Sequence, residues 1–157
     1  MSTRTGRELI QQINGLAVPT GTLAVWGLGQ SGFVIKGGET IIYIDPYLSG
    51  QVGEGGRTAS GRLPRQFPPP LSPGEATNAQ WVFCTHDHHD HTDPETLGTL
   101  ARVSPRARFV GPSHSREILR SLAITDESIL LPPVDTPQTF GPLTFTVIPA
   151  AHYGLER

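Results

Sequence analysis

The chain is poor in the residues that mark disulfide, membrane or charge-driven behaviour. Its 157 residues include one cysteine, so no disulfide can close within the chain, and a lone Cys84 fits a reducing compartment. No run approaches the ~18 consecutive apolar residues of a membrane span. The opening MSTRTGRELIQQ also lacks the apolar stretch of a secretory signal, so the expectation is a cytoplasmic protein. Charged residues make up only 17% and the net charge is −2. That argues against a solvated disordered chain and against nucleic-acid binding through bulk charge. Lysine is almost missing, with Lys36 alone among 12 basic residues. What is plentiful is turn-forming residues, 18 Gly and 15 Pro. They favour short elements joined by many loops over a helical bundle. The length suits one domain, 1–157.

Local patterns divide the chain. Residues 3–16 read as a short helix with an apolar stripe of Leu9, Ile10 and Ile13, capped by Thr3 or Thr5 and ended by Asn14-Gly15. The short β-branched or aromatic runs at 23–26, 33–35 and 41–44 read as three strands of an antiparallel meander. Residues 46–80 are too rich in Gly and Pro for regular structure, apart from a short turn near 73–76. A loop of that length inside a compact domain is usually functional or disordered. A buried strand at 81–85 follows. Next comes a helix over 94–102, with Asp93 as N-cap, Pro94 in its first position and Glu95 in its first turn. A strand at 108–110, a helix from Ser113 as cap, and strands at 128–131, 138–140 and 143–148 complete a mixed α/β order. Strands 22–45 and 138–148 are expected in one sheet, with the helices at ~94–102 and ~113–123 on its outer face.

The strongest signal is His86-Asp87-His88-His89-Asp90-His91, which holds four of the six histidines. His86 and His88, two apart at the end of an extended strand, can point to the same side. Asp90 and His91 sit where the chain turns toward a helix, so they can reach an adjacent point. Neutral imidazoles suit Zn, Fe and Mn, and a carboxylate shifts preference toward harder ions. Two adjacent ions can share a hydroxide that is nucleophilic near neutral pH. The competing reading is a solvated His-rich turn, which does not account for placement between a buried strand and a well-capped helix. His89 reads as a surface residue or one that supports a ligand from behind. Asp87 could orient a ligand imidazole.

Other features carry less. Gly27-Leu28-Gly29-Gln30-Ser31-Gly32 has the spacing of a dinucleotide-binding turn, but Gly37-Gly38 follows too soon for the helix such a turn must open, so a glycine-rich β-hairpin is expected. Cys84 reads as a core residue and His114 as a surface residue near a helix start. Arg57, Arg62 and Arg65 read as residues of a solvated loop, with contact to a substrate phosphate as the weaker alternative.

The segment THDHHDHTDPETL resembles the signature of the metallo-β-lactamase superfamily. Together with WGLGQSGFVIKGGETIIYIDPYLS, PPPLSP, FVGPS and IPAAHYGLE, it makes residues ~22–155 resemble the N-terminal part of the L-ascorbate-6-phosphate lactonase-like branch. N-acyl-phosphatidylethanolamine phospholipases are similar in the same region. The resemblance implies an α/β fold, a four-layer αββα sandwich of which this chain supplies roughly the N-terminal half to two-thirds. It implies that His86, His88 and His152 hold one divalent ion, Mn or Zn, and that Asp90 and His91 contribute to a second. In one-metal members the Asp90 position serves as proton acceptor. Asp45, in YIDPYLS, matches a family aspartate at a strand end that helps to orient the site.

The family continues beyond this point with an aspartate that bridges the metals and a last histidine of the second site. The expectation is therefore a metal-dependent hydrolase of lactones, esters or phosphodiesters, incomplete as residues 1–157 and weak or silent alone. A catalytically silent metal-binding half-domain and a His-rich metal-buffering protein are the alternatives. Expected partners are a small-molecule substrate and either further copies of the chain or a chain that supplies the missing half. Neither nucleic acid nor a membrane span is expected.

Overall fold

The computed structural model describes residues 4–49, 65 and 67–149. A six-stranded sheet runs in chain order from β1 (Ala24–Gly29) through β2 (Gly32–Gly37), β3 (Thr40–Ile44), β4 (Trp81–Phe83) and β5 (Arg108–Val110) to β6 (Ile129–Leu130). The first three strands pair antiparallel, as the short apolar runs predict. From β3 onward the pairing is parallel. A parallel step needs a crossover that returns the chain to the other end of the sheet. Between β3 and β4 the described residues hold a 3₁₀ turn at Pro73–Glu75, as the sequence predicts, and most of the Gly- and Pro-rich stretch, residues 50–64 and 66, lies outside the described residues. Later crossovers use helices α2 (Pro94–Val103) and α3 (Arg116–Ser121).

The glycine-rich segment is a hairpin. Gly29 and Gln30 take positive φ, 86° and 51°, and β2 begins at Gly32. No helix follows the third glycine, so the dinucleotide reading falls away.

Register assigns the two faces of the sheet. Val34, Tyr43, Val82 and Phe109 lie in one row. They share a buried core with Leu9, Ile10 and Ile13 of helix α1 (Gly6–Gly15), Leu97 and Leu100 of α2, and Leu119 of α3. Buried Cys84 belongs to the same core, as expected. Burial pushes its thiol up to about 12, against an ordinary ~8.5. A raised thiol keeps its stabilising neutral form in the folded chain while the unfolded chain ionises. Stability is therefore expected to fall as pH rises from about 9 toward about 12. At pH 8 Cys84 should resist thiol reagents until denaturant is added, and rapid labelling of the native chain would contradict this burial.

Lys36 occupies this face too, 1% exposed. Its ammonium donates to the carbonyls of Ile13, Asn14 and Leu16 at 3.0, 2.9 and 2.9 Å. It thus bonds carbonyls at and just past the end of α1 from across the core. Lys36→Met keeps the stem and removes all three bonds. It is expected to lower stability by about 3 kcal/mol, read as a lower urea midpoint with an unchanged slope.

The opposite face carries Val25, Phe33, Ile35, Ile42, Ile44, Trp81 and Phe83. Here the structure corrects the expectation that 138–148 joins the main sheet. Strands β7 (Pro137–Phe140) and β8 (Leu143–Thr146) form a separate antiparallel pair. Aromatic packing across the sheet face wins over pairing at the sheet edge. Phe140 sits 5.4 Å from Trp81 and Phe145 sits 4.9 Å from Phe83, ring centre to ring centre. The hairpin thus begins a second layer over β4, while Val25 and Phe33 remain 57% and 43% exposed. The helix predicted from Ser113 is also shorter. Ser113–Ser115 is a 3₁₀ turn, and α3 starts only at Arg116.

Candidate metal centre

The histidine segment leaves the sheet at the carboxyl ends of β3 and β4, where ligand sites of open α/β sheets gather. Asp45 directly follows β3 and takes a left-handed φ of 44°. Asp is among the few non-glycine residues that tolerate this conformation. Its amide donates to the Phe83 carbonyl at 2.8 Å, which locks the strand end beside β4. The buried carboxylate turns toward the histidine loop. It accepts the Thr85 amide at Oδ1, 2.7 Å, and both the Thr85 hydroxyl and His91 Nδ1 at Oδ2, each 2.7 Å.

This network fixes proton positions. His91 donates from Nδ1, so in the neutral ring its Nε2 carries the lone pair. Thr85 has one hydroxyl proton, directed at Asp45. Its oxygen therefore accepts from His86 Nδ1 at 3.1 Å, which leaves His86 with its lone pair on Nε2 as well. The three imidazoles cluster. The His86 ring centre lies 3.9 Å from that of His91 and 4.7 Å from that of His88. Backbone bonds close the loop, with the amides of His91 and Thr92 both donating to the His88 carbonyl at 2.9 and 2.7 Å, and the Thr92 hydroxyl to the His86 carbonyl at 2.5 Å.

Helix α2 begins at once. The Asp93 carboxylate accepts the Thr96 amide at 3.1 Å, the N-cap bond the sequence predicts. Asp90 is half-exposed beside the loop, its Oδ2 3.8 Å from His91 Nε2. Asp87 Oδ1 faces His114 Nε2 at 3.8 Å, and both side chains are open to solvent at the rim. Arg65 overturns the solvated-loop reading. It is 1% exposed, and its guanidinium donates to the carbonyls of Tyr47, Leu28 and Phe67. Burial lowers its pKa. His152, Arg57 and Arg62 lie outside the described residues.

The donor chemistry suits a divalent ion, because two of the imidazoles have their Nδ1 engaged and present Nε2. Among the described residues, no three His, Cys, Asp or Glu side chains stand at distances that would hold an ion together. Thr85 is the residue that sequence reasoning missed. It reads as the tail of an apolar strand, and its only signal is a hydroxyl immediately before the first histidine.

Residues 40–157 match the family model described as a beta-lactamase superfamily domain. No curated protein sequence matches the chain. Among solved structures, a novel metallo hydrolase from the hyperthermophilic archaeon Ignicoccus hospitalis KIN4/I is similar at 20% identity and a TM-score of 0.57, covering 85% of this chain and 51% of that one. An isothiocyanate hydrolase from Delia radicum gut bacteria gives 18% identity, a TM-score of 0.57, and coverage of 76% and 44%. A possible metal-dependent hydrolase from Veillonella parvula DSM 2008 gives 19%, 0.54, and 72% and 42%. The chain therefore spans about half the length of the solved structures it matches. The mixed sheet with helices on one face is the metallo-β-lactamase-like fold in partial form. No helix among the described residues is long and apolar enough to cross a membrane.

Proposed function

This chain belongs to the beta-lactamase superfamily, and on that premise we propose that it is the metal-binding part of a metal-dependent hydrolase. The observation that carries the reading is the Asp45 carboxylate, which holds Thr85 and His91 at 2.7 Å and through Thr85 sets His86. A buried carboxylate spent on aiming imidazoles is the arrangement that supports metal ligands. His86 and His88, with His152, would hold one divalent ion, and Asp90 with His91 a second. When bound, such an ion supplies Lewis-acid polarisation and acidifies water. Asp90, whose half-exposed side chain stands beside His91, would take up a proton. Asp45 keeps the His91 proton on Nδ1, and Thr85 does the same for His86.

The substrate class proposed is a lactone, ester or phosphodiester, along the ascorbate-6-phosphate lactonase-like branch, with Mn or Zn as the ion. The solved relatives include an enzyme named for isothiocyanate hydrolysis, which makes an isothiocyanate a worthwhile member of the substrate panel. Cytoplasmic location remains part of the proposal. So does closure of the uncovered sheet face around Val25 and Phe33 by further copies of the chain or by a chain that supplies the second sheet. A monodisperse monomer in light scattering would contradict that closure.

The test of function is turnover of this panel with added Mn or Zn, by residues 1–157 alone and with the second sheet supplied. Weak hydrolysis alone, stronger hydrolysis when completed, and loss in His88→Ala would support the reading. A protein that binds metal and hydrolyses nothing in either form would leave the silent metal-binding domain as the better account.

A further inference from the structure

We infer that His89 is a positioning residue, whose ring against the Asp93 carboxylate clasps the histidine loop to the start of α2 and so sets where His88 and His91 stand. The inference rests on the reading of that loop as a metal centre. By sequence His89 is the histidine outside the ligand pattern. The structure turns it inward, with its side chain 25% exposed and Nε2 3.2 Å from Asp93 Oδ1. Its ring meets that of Tyr47 edge-on, with centres 5.8 Å apart and planes at 78°.

Asp93 does more than cap a helix. It is fully buried, and its Oδ2 takes the hydroxyls of Ser49 and Thr96, each at 2.5 Å, besides the Thr96 amide. Its Oδ1 accepts no hydrogen bond among the described residues. A buried carboxylate oxygen is costly without a polar neighbour, and His89 Nε2 is the group placed beside it. One carboxylate thereby ties together the exit from β3, the first turn of α2 and the histidine loop. Tyr47 is steadied in turn by Arg65, whose guanidinium lies 5.3 Å over its ring and bonds its carbonyl.

The loop then has two fixed points. Asp45 holds one side through Thr85 and His91, and Asp93 holds the other through His89. With one point removed, the tight turn closed on the His88 carbonyl can pivot about the other. Metal ligation tolerates displacements of only about 0.2 Å, so a pivot is felt at the ion before it is felt in the fold.

The test is Co(II) titration of the full chain as wild type, His89→Ala and His89→Gln, with visible absorption as the readout and circular dichroism as the fold check. His89→Ala is expected to bind Co(II) about tenfold more weakly, with a shifted absorption spectrum. The glutamine side-chain amide can reach the same carboxylate, so His89→Gln should restore most of the affinity. Unchanged affinity and spectrum in His89→Ala, with only a lower melting temperature, would reduce His89 to a structural residue. A glutamine variant as weak as the alanine one would also overturn the clasp.

A wild-type chain that takes up no Co(II) would defeat the metal-centre reading, and the clasp would then be decided without metal. Amide exchange at His91 and Thr92, whose N–H groups bond the His88 carbonyl, should quicken by about tenfold or more in His89→Ala. Unchanged exchange at both positions would overturn the inference.

Discussion

His88→Ala is expected to weaken metal binding at the first site by about a hundredfold while leaving the fold in place. Removing one of three imidazoles from a divalent site forfeits a large share of the ligation energy. The substitution is clean here for a structural reason. What closes the loop at residue 88 is its backbone carbonyl, which accepts the amides of His91 and Thr92, and alanine keeps that carbonyl. Both of those backbone bonds therefore survive the substitution. Equilibrium dialysis against Zn or Mn, with circular dichroism on the same samples, measures both halves of the expectation. An unchanged affinity would remove His88 from the site, and a lost fold would show that the imidazole itself holds the loop.

Asp45 should show the second large effect, and two substitutions separate its roles. Asp45→Ala removes the acceptor for the Thr85 amide, the Thr85 hydroxyl and His91 Nδ1. It also places alanine at a φ of 44°, which costs about 1 kcal/mol or more. A total loss of about 3 kcal/mol in stability is expected. Asn tolerates the left-handed backbone, so Asp45→Asn should fold nearly as well. Its amide has one acceptor oxygen where the carboxylate has two, so the Thr85 amide at Oδ1 and the Thr85 hydroxyl and His91 Nδ1 at Oδ2 can no longer all be served. Metal affinity should then fall by about tenfold or more at little cost in urea midpoint. Equal metal affinity for wild type and Asp45→Asn would show that the carboxylate stabilises the fold without aiming the imidazoles.

These positions show what a sequence displays and what it hides. Elements dictated by neighbouring residues were legible. Strands β1 to β3 follow from short β-branched runs between turns, and α2 follows from Asp93-Pro94. The histidine loop was legible because chemistry-bearing residues are adjacent in the chain. Thr85 and Asp45 are not adjacent. Their bond joins residues 40 positions apart, and only the parallel pairing of β3 with β4 brings them together. Arg65 and Lys36 were hidden for a related reason. Charged side chains are expected in water, and both are buried because carbonyls distant in the chain converge on them. The place of 138–148 was misjudged because alternation reveals a strand but not its partner. The rings of Phe140 and Phe145 settle that choice by packing on Trp81 and Phe83. His89 falls outside the ligand spacing, so the sequence leaves it as a surface residue or a support for a ligand, and its contact with Asp93 appears only in the structure.

The central claim is that the loop from His86 to His91, aimed by Asp45 through Thr85, is a metal centre. Elemental analysis of the purified chain after dialysis against Mn and Zn tests it most directly. The account predicts about one ion per chain or more, falling well below one in His88→Ala. Well under one ion per chain in the wild type, with the same value in His88→Ala, would contradict it.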